Sequence, residues 1–341
     1  MIRIGVLCPS EIAFRRFMPA LGQMGDKISF VGVAHAAAEE WFGPERACRD
    51  EAVLTAEREK AERFAEEYGG RVFDSYEALM SCDEIDAVYL PLPPALHFKW
   101  GMKVLEHGKH LLCEKPCTTH PADTDALLQE AEKRGLAVHE TYMFGYHSQL
   151  AHIAQLVEEG ELGELRLVRI AFGFPFRGGN DFRYNKALGG GALLDCGGYT
   201  LKLASMLLGK SARVVTSQLN CKEGIGVDLF GSATLVNEEG GVAQVSFGMD
   251  NSYKCELELW GSTATLYTDR ILTAPAGFRP TVTLKNNDGV RTITLPADDT
   301  FKKSIADFLS CIRSEDKRRD RYQEIRRQAA LVDAVMKGSC K

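Results

Sequence analysis

The sequence has no Cys-x-x-Cys spacing, and the closest two of its ten cysteines are Cys113 and Cys117. That leaves no framework for a structural metal site, and none is expected. Cys8, Cys113 and Cys196 lie inside apolar runs, where cysteine behaves as a small hydrophobe. Scattered reduced thiols of this kind suit a cytoplasm. No apolar run reaches the roughly 18 residues needed to span a bilayer. The opening MIRIGVL lacks the long apolar region and small-residue end of a secretory leader and reads as a strand. Basic excess is missing too: 41 Lys and Arg stand against 47 Asp and Glu, a net charge of −6. No nucleic-acid partner is therefore expected. Internal repeats and low-complexity segments are absent. What is present is 341 residues, 45% hydrophobic and 26% charged, the composition of a globular chain long enough for two cores.

The first half alternates strand and helix patterns. IRIGVLC (2–8), ISFVGVA (28–34), IDAVYLPLP (85–93), the apolar run Leu111–Cys113 and LAVHETY (136–142) read as strands. Helical spacing appears in AFRRFMPALGQMG, interrupted by Pro19, and in 52–70, 95–108 and 123–135, with glycines as stops. This alternation implies βαβ units and a doubly wound parallel sheet of the Rossmann type. After about residue 145 the pattern changes. A helix (150–160), a long strand (165–176) and a helix (192–209) precede alternating strands from 212 to about 295, which imply an open, mainly antiparallel sheet. Two helices, near 300–313 and 318–337, end the chain. The expected organisation is α/β: a dinucleotide-type domain over 1–120 with the strand 136–142 added, an α+β domain over 145–300, and terminal helices over 301–341 packing back on both.

A dinucleotide fold calls for G-x-G-x-x-G after the first strand. Here the turn is Cys8-Pro9-Ser10-Glu11-Ile12-Ala13, with Cys8, Ser10 and Ala13 at the glycine positions. All three are small, so close approach of a pyrophosphate to the helix start and an ordinary strand–helix turn are both open. The second strand ends in Ala34-His35-Ala36, with no Asp or Glu for a ribose 2′-hydroxyl and no Arg for a 2′-phosphate. NAD and NADP are therefore not distinguished. His35 faces either the adenosine ribose or solvent. Trp41, in an insertion over 34–51, either covers the adenine or packs locally.

The stretch HLLCEKPCTTH (110–120) places Glu114, Lys115 and Pro116 at the mouth of a buried strand. Ligands of open α/β sheets bind outside such carboxyl ends. Proline biases Lys115 toward an extended backbone, and Glu114 beside it favours a protonated amine. A surface ion pair next to a turn is the plain alternative. Further on, LGGGALLDCGGY (188–199) opens a helix on which Asp195 and Tyr199 are four apart and share a face.

The small-residue loop, Pro-Pro-x-x-His in YLPLPPALH (89–97), E-K-P and G-G-G-A-L-x-D together resemble the glucose–fructose oxidoreductase/inositol dehydrogenase family (Gfo/Idh/MocA). The resemblance covers essentially the whole chain. It implies NAD- or NADP-dependent hydride transfer at a hydroxyl or keto carbon of a sugar, sugar derivative or cyclic polyol, the sugar nucleotide-linked or not. Lys115 then lies near the nicotinamide and the reacting oxygen. Cys8, Pro9, Ser10, Glu11, Ile12, His35, Leu92, Pro93, His97 and Glu114 contact the cofactor. Many relatives have histidine in place of Tyr199; a neighbouring ammonium such as Lys115 would bring a phenol pKa down from about 10. Asp195 would orient the substrate hydroxyl or the lysine. Tyr142, Asp181 and Arg183 are candidates for substrate contact, with hinge packing the alternative for Tyr142, as for His147. The family also implies a homo-oligomer, dimer or tetramer, through the C-terminal sheet. A dihydrodiol-type dehydrogenase and a non-catalytic cofactor-binding sensor are the other readings.

Overall fold

The computed structural model describes residues 1–42, 51–178 and 181–339. Of the 34–51 insertion, residues 43–50 lie outside the described residues; Trp41, in the helix Ala38–Phe42, is 44% exposed. The chain forms two compact units.

The first unit comprises Met1–Thr118, Ala122–Thr141 and Ser304–Ile325. Its strands are β1 (Ile2–Leu7), β2 (Ile28–Ala34), β3 (Arg71–Phe73), β4 (Ala87–Leu90), β5 (His110–Cys113) and β6 (Val138–Glu140), all parallel. Their order is β3-β2-β1-β4-β5-β6, which reverses direction of winding between β1 and β4. All four residues of β4 are buried, as a strand with helices on both faces requires. The sequence pattern misses β3 and the short helix Tyr76–Met80 behind it. Three residues carry no period, and that helix draws on its N-terminal partners, Ser75 Oγ and the Glu40 carboxylate, which accept the N–H groups of Ala78, Tyr76 and Glu77. The first helix differs from expectation at Pro19. A π-helical turn, Ala13–Phe17, runs directly into the helix Met18–Gly22. The wider turn accommodates the proline where an unbroken α-helix would clash.

The second unit comprises Thr119–Pro121, Tyr142–Lys303 and the chain from Arg326 on. The strands β7 (Leu165–Gly173), β8 (Arg213–Cys221), β9 (Asp228–Val236), β10 (Val242–Gly248), β11 (Lys254–Gly261), β12 (Thr265–Asp269), β13 (Thr281–Asn286) and β14 (Gly289–Thr294) form one sheet. The order is β14-β13-β12-β11-β7-β10-β9-β8, antiparallel except for β7 beside β10. Alternate residues of β9 and β11 are buried. One face is thus core, against which the helix Gly198–Leu208 packs on β7 and β10; the other carries Trp260 and Tyr267, both at least 40% exposed. The terminal helices are Thr300–Arg313 and Glu315–Gly338. Ser304–Ile325 belongs to the first unit and the rest of the last helix to the second. No helix of the described chain is long and apolar enough to cross a membrane.

Candidate active site

Every candidate cofactor residue in the first unit follows the carboxyl end of a strand: Cys8 after β1, His35 after β2, Leu92, Pro93 and His97 after β4, Glu114 and Lys115 after β5. Cys8 adopts φ +132, a region that normally demands glycine. The first fingerprint position thus keeps a glycine-like backbone without the glycine. Ser10 turns its bonding inward, accepting the N–H of Ala13 at Oγ (3.2 Å) and that of Phe14 at its carbonyl (3.0 Å). Ala13, at the third position, is fully buried where helix and sheet meet closely. The first-turn amides of Glu11 and Ile12 lie at the helix start, which favours an anionic group. These features fit a dinucleotide pyrophosphate. The Glu11 side chain itself pairs with Arg15 on the surface.

His35 is not a solvated loop histidine. It is buried, with Nδ1 3.3 Å from the Ala36 carbonyl and Nε2 3.5 Å from Asp74, which follows β3. A carboxylate from a neighbouring strand end thus stands beside His35. His97 has the form of a satisfied helix-start histidine. Its side chain is fully buried and opens the helix His97–Glu106, with Nδ1 2.7 Å from the Pro116 carbonyl and Nε2 2.7 Å from that of Leu92. Burial pushes its pKa down, and the two carbonyls oppose that shift.

Glu114 accepts a hydrogen bond from the Tyr89 hydroxyl (2.6 Å), and its N–H donates to Leu90 (3.1 Å). The Tyr89 ring stacks on Phe17, centroids 4.0 Å apart. Lys115 is half-buried just beyond the carboxyl end of β5, and the Lys115–Pro116 peptide is cis. Beyond it, the Cys117 N–H donates to Glu140 at 2.7 Å. Sequence reasoning missed Glu140, although a carboxylate ending a buried strand, in VHE, was a usable signal.

In the second unit the glycine run positions a charged group. Gly191 has φ +126, and a Cβ there would lie 2.4 Å from Asp228 Oδ1. A Cβ on Gly190 would lie 2.3 Å from the Arg183 carbonyl, which accepts the Gly191 N–H at 2.9 Å. The segment Phe182–Tyr184 is thereby drawn against the helix start. Arg183 reaches Asp195 through Nε at 2.7 Å and Asp181 through Nη1 at 3.1 Å. Burial alone would lower the Arg183 pKa, but Asp195 and Asp181 reverse the sign and raise it. Asp181, Arg183 and Asp195 are therefore one ion-paired group rather than three separate contacts. Asp195 lies in a π-helical turn, Leu193–Gly197, whose first N–H is held by Asp228 at 2.7 Å. Burial raises the Asp228 pKa. π-turns of this kind recur at functional sites.

Tyr199 begins the next helical turn, 8% exposed, among the rings of Tyr142, Phe144 and Phe172, all within 6 Å of its own. Its hydroxyl lies 3.8 Å from Met143 Sδ. Tyr142 is a buried support for that wall. Its hydroxyl accepts from Gln328 at 3.3 Å and leaves no room for a side chain at Gly198, whose carbonyl accepts from the same glutamine at 2.8 Å. His147 caps the helix Ser148–Glu158, accepting the Gln149 N–H at 3.1 Å. Asp228 and Gln328 were invisible to motif reasoning because their partners, mostly backbone groups, lie far away in sequence. Among the described residues one group of metal-type side chains converges, His139, Asp307 and Cys311. Asp307 there pairs with Arg321, a contact that a cation would have to displace.

A reversing parallel sheet with a glycine-like first turn, and a second unit with a glycine-rich helix start, define a dinucleotide-dependent oxidoreductase of two domains. Residues 27–142 match the oxidoreductase family with an NAD-binding Rossmann fold, and residues 150–267 match the GFO/IDH/MocA C-terminal domain. The dTDP-3,4-didehydro-2,6-dideoxy-α-D-glucose 3-reductase of Actinomadura kijaniata is 36% identical over 338 residues, 99% of this chain and 96% of that protein. The enzyme of the same name from Streptomyces violaceoruber is 39% identical over 343 residues, 98% of this chain and 94% of that one. The crystal structure of KijD10, a 3-ketoreductase from A. kijaniata in complex with NADP and TDP-benzene, superposes with a TM-score of 0.89 at 36% identity, covering 99% of this chain and 98% of that one. The chain belongs to the GFO/IDH/MocA oxidoreductase family. It is an NAD- or NADP-dependent oxidoreductase acting on hydroxyl or keto carbons of sugar-like molecules.

Proposed function

We propose that this enzyme reduces the keto group of a nucleotide-linked sugar with NADPH, Lys115 and Tyr199 serving as the acid–base pair. The observation that carries the reading is similarity over nearly the full chain, at 36–39% identity, to reductases of dTDP-linked keto sugars, one solved with NADP. The bound dinucleotide supplies a hydride from nicotinamide C4. The turn Cys8–Ile12 would receive its pyrophosphate, and the ends of β2 and β4 the adenosine and nicotinamide halves. Lys115 hydrogen-bonds the substrate oxygen as negative charge develops on it, and Tyr199 donates the proton. The Asp181–Arg183–Asp195 group orients sugar hydroxyls beside the phenol. The exposed face of the eight-stranded sheet is the surface for a homo-oligomer. The eight described cysteines, all free thiols, suit a reducing cytoplasm.

Two measurements test this. NADPH fluorescence titration should give saturable binding; failure to bind either NADPH or NADH would remove the assignment. With dTDP-3,4-didehydro-2,6-dideoxy-α-D-glucose as probe, Lys115→Met and Tyr199→Phe should each lower turnover by about 10²–10⁴-fold with NADPH affinity within threefold of the parent. Near-parental rates in both would end the acid–base roles, and a wild-type enzyme that binds NADPH but turns over no keto sugar would favour a sensor.

A further inference from the structure

One peptide group, joining Pro116 to Cys117, is held at both of its polar ends by buried titratable side chains. Its carbonyl lies 2.7 Å from His97 Nδ1, and its N–H donates to Glu140 Oε1 at 2.7 Å. His97 is 0% exposed and Glu140 8%. The other nitrogen of His97 meets the Leu92 carbonyl, beyond β4, and Glu140 is the last residue of β6. Three adjacent strand ends, those of β4, β5 and β6, are thereby tied at one point. The base of the loop is pinned as well, since Thr141 donates both its N–H and its hydroxyl to the Cys113 carbonyl at 2.9 Å. A packing role alone would be met by apolar side chains, because buried polar groups cost free energy unless bonded. What the polar pair adds is direction. Pro116 has φ locked by its ring, so a fixed Pro116–Cys117 plane leaves little rotation between that plane and Lys115.

We propose that His97 and Glu140 are positioning residues that clamp the Pro116–Cys117 peptide and so set the direction in which the Lys115 side chain leaves the sheet. The proposal rests on the acid–base reading of Lys115. Neither residue touches substrate; both act through the backbone. A neutral imidazole carries one N–H and bonds one carbonyl in each tautomer, while the Glu140 carboxylate accepts without exchange. Glu140 is therefore the more constant half of the clamp.

The experiment compares Glu140→Gln, which keeps an acceptor oxygen, with Glu140→Leu and His97→Phe, using NADPH and the dTDP-linked keto sugar. Misplacing a catalytic group by about 1 Å costs on the order of 100-fold, so the Leu and Phe variants should lose about 10- to 100-fold in kcat. KM for NADPH should move less than threefold, and the Gln variant should stay within threefold of wild type in kcat. In reductively ¹³C-methylated protein, the lysine signal absent from Lys115→Met should shift or broaden in the Leu variant and not in the Gln variant. Wild-type kcat in both apolar variants, or a Gln variant as impaired as Leu, would overturn the clamp. If the apolar variants fail to fold, hydrogen exchange in the wild type decides: the Cys117 amide should be among the slowest of its loop, and rapid exchange would overturn the proposal. Full turnover by Lys115→Met would instead refute the acid–base reading, with the lysine signal still reporting on the clamp.

Discussion

Substituting Gly191 by alanine tests how the helix start carrying Asp195 is built. Two costs can be worked out separately. At φ +126 an alanine occupies a region almost reserved for glycine, worth about 1–3 kcal/mol. Its Cβ would also stand 2.4 Å from Asp228 Oδ1, and that carboxylate cannot swing away without releasing the Leu193 N–H that it holds at 2.7 Å. A hydrogen bond to a charged group contributes about 1.5–3 kcal/mol. Together the substitution should destabilise the second unit by about 2.5–6 kcal/mol, a large share of a typical 5–15 kcal/mol. At roughly 2–4 °C per kcal/mol for a unit of this size, Tm of that unit should fall by about 5–24 °C. Differential scanning calorimetry, supported by urea denaturation, provides the measurement. Because the two costs have different origins, a cycle separates them. Adding Asp228→Ala to Gly191→Ala should recover the steric part and leave the backbone part, so the two changes together cost less than their separate effects added. A single variant within 1 kcal/mol of wild type, or a strictly additive cycle, would show that Gly191 is not where the turn is built.

Acid should act through His110, whose Nδ1 accepts the Ala137 N–H at 2.9 Å. Burial, then the Arg318 charge, lowers its pKa to about 4 from an ordinary value of 6.5. The folded state thus resists the proton that the unfolded chain takes up: this contribution is complete above pH 6.5, shrinks as pH falls toward 4, and amounts to about 3 kcal/mol in all. Urea midpoints for wild type and His110→Asn should converge across that window; parallel curves would refute the assignment. Iodoacetamide at pH 8 should label the exposed Cys221 well before the half-buried Cys8, whose thiol pKa desolvation pushes up to about 12; equal rates by peptide mapping would contradict that shift. On the open sheet, Arg169 lies over the Trp260 ring at 5.5 Å. If that face joins subunits, Trp260→Glu with Tyr267→Glu should reduce the mass seen by light scattering to that of a single chain, and an unchanged mass would exclude the face.

The primary structure alone determined the kind of fold. Period-2 alternation in β9 and β11 and continuous apolar runs in β1, β4 and β5 arise from which faces are buried, and a single chain records that directly. Small residues at Cys8, Ser10 and Ala13 and the glycines before Asp195 likewise carry local backbone demands. Tertiary structure decided who meets whom. Asp195 finds Arg183 because Gly190 and Gly191 admit a backbone that other residues would exclude. Tyr142 turns out to brace Tyr199, and His97 to grip a carbonyl nineteen positions away. The physical reason is that hydrogen bonds to distant backbone groups leave no periodicity and no motif: every peptide offers the same donor and acceptor, and only the folded chain selects which one a buried side chain reaches.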